Sequence, residues 1–97
     1  MNHAEAFRSL EDKKRLFLAR IPASASKLRA RFLKNQLEAT VEAAGKHLQT
    51  IYEAGLEVGP DLGPLPAYEG NPKYAFWWAG IRRHLQNGEA LLAEQPG

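Results

Sequence analysis

The stretch SASKLRARFLKNQLEATVEAAGKHLQTIYEAG, residues 24–55, decides the fold. Ala30, Leu33, Leu37, Val41, Ala44, Leu48, Ile51 and Tyr52 recur mostly at intervals of three and four, which on a helix gathers them into one stripe roughly 100° wide. A strand would send members of this set to opposite faces, so the spacing predicts one long amphipathic helix. Ser24 or Ser26 stands where a hydroxyl can cap its first unpaired N–H groups. Near the opposite side, Ala25, Leu28, Phe32, Ala39 and Ala43 make a second apolar set, so the first half of this helix is expected to be packed on two sides. Gly45 costs about 1 kcal/mol against alanine inside a helix, and a bend, a break or a close helix contact is expected there.

Upstream, Pro22 ends a shorter helix over about 4–20. Its Phe7, Leu10, Phe17, Leu18 and Ile21 occupy about a third of the helical wheel. Lys14 falls inside that stripe, where its aliphatic stem covers apolar surface and its ammonium reaches water. Downstream, Gly59, Pro60, Gly63, Pro64, Pro66 and Gly70 are too dense for a helix or a central strand and define a loop. Its Leu62, Leu65 and Tyr68 are expected to lie on the bundle. Asn71 and Pro72 read as N-cap and first residue of a third helix over about 72–94. Tyr74, Trp77, Trp78, Ile81, Leu85, Gly88 and Leu92 share one of its faces, and the aromatics are expected in the core.

The predicted architecture is all-α: a three-helix antiparallel bundle with a long central helix and a Gly/Pro-rich loop before the third, forming one domain over 1–97. At about 1.5 Å per residue the central helix reaches about 48 Å and the first about 25 Å, so one end of the central helix is under-covered. Either the loop or a second copy must cover it. A monomer is expected over a homodimer, with Leu62, Leu65 and Tyr68 folding over the part near Ala39 to Tyr52.

Composition narrows the chemistry. With 97 residues, 44% of them hydrophobic and 25% charged, the chain has the make-up of one ordinary folded domain. It has no cysteine, which excludes disulfides, a thiol nucleophile and Cys-based metal sites. No uncharged apolar run is long enough to span a bilayer, and the first 20 residues are charged throughout, so a cytoplasmic protein without a membrane partner is expected. His3, His47 and His84 form neither H-E-x-x-H nor E-x-x-H, and no Gly-rich phosphate loop is present. No metal, cofactor or catalytic residue is expected.

The net charge of +2 conceals a strong asymmetry. Residues 1–35 carry nine basic side chains against three acidic ones, whereas residues 36–97 carry four against eight. Arg20, Lys27, Arg29, Arg31 and Lys34 crowd the start of the central helix, where exposed N–H groups already carry partial positive charge. Such crowding points to an anion, with phosphate the natural candidate. The competing reading is internal: Glu89 and Glu94, at the end of an antiparallel third helix, would neutralise this end. A helix-turn-helix fits the Ile21 to Ser24 connection in length, but the turn lacks glycine and the following helix is too long. Phosphate contacts with little base reading demand less of the sequence.

A second candidate surface is Phe76 with Gly80, Arg82 and Arg83, an aromatic and cationic patch suited to a protein partner or to stacking a base, unless Phe76 packs under the preceding loop. The expected function is a non-enzymatic interaction module docking on nucleic acid through the basic half. The alternative is an adaptor or inhibitor that blocks or recruits a larger, nucleic-acid-associated machine through the basic face or the Phe76/Arg83 patch.

Overall fold

The computed structural model describes residues 3–56, 58, 62 and 72–95. Three helices form a bundle: α1 (His3–Ala19), α2 (Lys27–Glu53) and α3 (Pro72–Ala93). Ser26 is the cap of α2; its backbone is extended (φ −62°, ψ 160°) and its hydroxyl accepts the Arg29 N–H at 3.1 Å. Ser24 lies in the turn before it. At the other end the Gly55 N–H reaches the Tyr52 carbonyl at 2.9 Å and the Leu56 N–H the Ile51 carbonyl at 3.1 Å. That paired pattern requires a left-handed residue, which Gly55 supplies at φ 76°. Between the caps α2 is continuous through Gly45, and a Cβ there would meet only Leu10 Cδ1 at 3.9 Å. The expected break or tight contact is absent, because Leu10 stops an ordinary van der Waals distance away.

Contacts at both ends set the helix directions. His3 packs edge-on to Tyr52, with ring centroids 4.3 Å apart, and its Nε2–H donates to the Leu56 carbonyl at 2.6 Å. Leu10 then falls opposite Gly45, so α1 runs antiparallel to α2. His84 stacks on His47, and the Arg29 Nε–H donates to Gln95 Oε1 at 3.1 Å, so α3 is antiparallel to α2 as well. Consequently α1 and α3 are parallel and both lean on α2, touching each other little. They meet where Phe17 faces Gly88, whose Cβ, if present, would lie 2.6 Å from Phe17 Cε2. Leu62 lines a surface cavity with Ser9 and Lys13 of α1 and Leu85 of α3; it is buried, takes the left-handed φ of 63°, and its carbonyl accepts the Trp78 indole N–H at 2.5 Å.

Six of the eight stripe residues read from α2 are core, whereas Ala30 is half-buried and Tyr52, at the end of the stripe, is 50% exposed. Leu33, Leu37, Val41, Ala44, Leu48 and Ile51 of α2 are buried with Leu10 and Phe17 of α1 and Tyr74, Ile81 and Leu92 of α3. Trp77 and Trp78 are only half-buried and pack against this core from its edge.

Two expectations about α2 are corrected. Its second apolar set is mostly not packed: Leu28 is 75% and Phe32 46% exposed and Ala39 is exposed too, while Ala25 and Ala43 are half-buried. Leu28, Phe32 and Ala39 sit on the side of α2 turned away from both neighbours. The under-covered end is also the other one. Because α1 begins beside Tyr52, its 17 residues, at about 1.5 Å each, run out near Gln36 and leave residues 27–36 without it. The buried stripe between Ala39 and Tyr52 is covered by α1 and α3, and Leu62 lies on α1 and α3 rather than there. Leu65, Tyr68 and the proposed cap Asn71 lie outside the described residues.

Candidate functional site

The start of α2 concentrates the open positive charge. Lys27, Arg29, Arg31 and Lys34 are all exposed, and the first turn of α2 contains no acidic residue. Among the described residues, Lys27, Arg31 and Lys34 have no carboxylate oxygen within 4.0 Å. A helical repeat of 100° places these three on one flank of α2, with Arg29 on the other. Arg29 is partly committed: besides its bond to Gln95, its guanidinium lies 5.3 Å from the Phe32 ring centroid. Leu28 and Phe32 therefore project into solvent between two cationic flanks.

Arg20 stands apart from this set. Its Nη1 lies 2.9 and 2.8 Å from the two oxygens of Glu89, and Lys13 Nζ is 3.5 Å from the same carboxylate. The hydrogen bond from Arg20, reinforced by the charges of Arg20 and Lys13, holds the Glu89 carboxyl below the usual range against an opposing effect of burial. Internal neutralisation thus operates on Arg20 and Lys13 through Glu89. Glu94 makes no ion pair with Lys27, Arg29, Arg31 or Lys34. Lys14 behaves as its place in the apolar stripe requires, with its ammonium 3.0 Å from Glu11.

On α3, Phe76 is 69% exposed, and Arg82 and Arg83 are exposed too. Gly80 does not join them: it is buried, and a Cβ there would lie 2.8 Å from the His47 imidazole. Arg82 instead lies over the Trp78 ring, 5.2 Å from its centroid.

His47 and His84 are parallel-stacked, with centroids 5.4 Å apart and planes at 26°. Burial, then the charges of His47 and Arg83, push His84 below the ordinary imidazole range. Among the described residues no three His, Asp, Glu or Cys side chains gather closely enough to hold a metal ion, and no helix is long and apolar enough to cross a membrane.

The sequence reading missed that Leu28 and Phe32 belong to the surface. A partial signal was present: Lys27 and Arg31 on one side and Arg29 on the other border the sector that holds Leu28 and Phe32. Comparison with family models, with curated proteins and with solved structures finds no match, so the surface itself carries the functional argument.

Proposed function

We propose that this chain is a non-enzymatic, cytoplasmic interaction module that docks on nucleic acid through the projecting start of α2. Lys27, Arg31 and Lys34 contact phosphates, and Arg29 contributes from the other flank. The observation that carries this reading is the exposed trio Lys27, Arg31 and Lys34 at a helix N-terminus that has no acidic side chain in its first turn and, among the described residues, no carboxylate within ion-pair distance of them. Like charges at the positive end of a helix dipole raise the energy of the unbound state, and an anion relieves it. Arg20 enters only when Glu89 releases it.

Binding of this kind is read mainly through the backbone and weakens steeply with salt, since each neutralised phosphate sheds counterion. Anisotropy titrations with labelled duplex DNA, single-stranded DNA and RNA test it. Arg31→Glu combined with Lys34→Glu is expected to lower affinity at least about tenfold, while Arg83→Glu leaves it nearly unchanged. Absence of binding to all three nucleic acids at low salt overturns the reading.

The exposure of Phe76 supports a second reading, a protein-binding adaptor or inhibitor using Phe76 and Arg83. A partner from host extract that survives nuclease treatment and is lost in Phe76→Ala favours it over the first.

A further inference from the structure

We infer that the solvent-facing side of α2 is also a self-pairing surface, on which a second copy of this chain packs antiparallel about a two-fold axis at Asn35. Three observations converge on one register. First, Leu28, Phe32, Asn35 and Ala39 recur at intervals of three and four, form a continuous seam turned away from α1 and α3, and are all exposed. Second, the seam is large at one end and small at the other. Two copies crossing antiparallel set Phe32 of each against Ala39 of the other, and Leu28 against Ala43. Third, the flanking charges change sign along the same line: Lys27 and Arg31 precede Asn35, and Glu38 and Glu42 follow it. The same crossing sets Arg31 against Glu38 and Lys27 against Glu42. The midpoint of every one of these pairs falls within half a residue of Asn35.

A parallel two-fold would carry this charged flank of the two copies to opposite sides of the seam and forgo every one of these opposite-sign contacts, so charge selects the antiparallel arrangement. The small side chains of Ala39 and Ala43 let the helix axes approach closely where the bulky ones of the partner copy insert. Asn35 on the axis meets its own copy with a side chain that is both donor and acceptor, the type of polar residue that fixes register in paired helices. The seam runs from Lys27 to Ala43, about 25 Å at 1.5 Å per residue, which is short for an obligate dimer and suits reversible association. Closure by a two-fold leaves no further sticky edge, so pairing stops at two.

This inference goes beyond the nucleic-acid reading and does not depend on it, but Lys27 and Arg31 serve both, so the two associations compete. Light scattering and sedimentation at about 100 µM chain and low salt test it, with a mass of twice 10.8 kDa expected. Arg31→Glu and Glu38→Arg each create two like-charge contacts per dimer and are expected to raise the dissociation constant at least about tenfold. The double variant restores the opposite-sign pairs and the dimer, a recovery that general damage to the fold would not give. A wild-type mass of one chain, or a double variant that stays monomeric, overturns the inference. Glu38→Arg separates it from the nucleic-acid reading, because that substitution weakens the dimer and, by adding positive charge beside Lys34, strengthens oligonucleotide binding. A dimer with no oligonucleotide affinity overturns the nucleic-acid reading alone.

Discussion

Arg20 and Glu89, 69 residues apart in sequence, meet with one guanidinium nitrogen within hydrogen-bond distance of both carboxylate oxygens. The contact fastens the residue just beyond α1 to the last third of α3, and it engages one of five clustered cations in an ion pair within the molecule. A charge cluster in a sequence is therefore partly spent inside the molecule, and only the fold says which members are spent.

Glu89→Gln tests this contact in two ways. The folded Glu89 carboxyl titrates lower than the unfolded one, so its stabilisation is present at neutral pH and is lost as pH falls through the lowered folded value. Both side chains are close to half exposed, which limits the effect to about 0.5 kcal/mol. Urea melts at pH 7 should show the variant slightly weaker, with the gap closing as pH falls below the ordinary glutamate range and through the lowered folded value. Oligonucleotide affinity should move the opposite way, upward, because Arg20 is released to phosphate.

Two glycines make opposite predictions. Gly88→Ala drives a methyl group into the Phe17 ring and is expected to destabilise by about 1–3 kcal/mol through overpacking. Gly45→Ala meets nothing closer than Leu10 at 3.9 Å and is expected to stabilise by about 0.5–1 kcal/mol through helix propensity. Thermal or urea denaturation of the pair checks both.

His84 gives the fold an acid-sensitive joint. Its folded pKa lies below the unfolded one, so the unfolded chain binds protons first as pH drops, and stability falls with pH from about 7 towards the lowered folded value. Burial beside His47 and Arg83 causes this, so His84→Asn should flatten the dependence. Melts at about pH 7 and pH 5 on both proteins measure it; equal slopes would rule the joint out.

Trp78→Phe keeps an aromatic side chain but removes the pyrrole half of the indole together with the N–H that the Leu62 carbonyl accepts. A loss of about 1 kcal/mol is expected in urea melts, reflecting one hydrogen bond and the loosening of Leu62 between α1 and α3.

The helices were legible because hydrophobic period and end signals agree: Pro22 and Ser26 bracket one boundary, Gly55 marks another, and Pro72 opens α3. Packing partners were less so. Leu28 and Phe32 read as a buried second side because periodicity reports only that apolar residues align, not that anything lies opposite them. Which end of α2 stands bare followed from the direction of α1, fixed by contacts such as His3 on Tyr52 between residues far apart in the chain. Of the cation cluster, the sequence identified every member, and the pairing of Arg20 depended on where Glu89 falls.

Because α1 and α3 each lean on α2 and scarcely on one another, the bundle is two helical hairpins sharing a strut. The α2–α3 hairpin holds the more extensive interface. Detachment of α1 therefore opens a partial state in which α2 and α3 remain joined, and the amides of α1 exchange with solvent at a lower free energy than those of the shared strut. Cooperative unfolding in this molecule runs through α2, and α1 acts as the leaf that swings first.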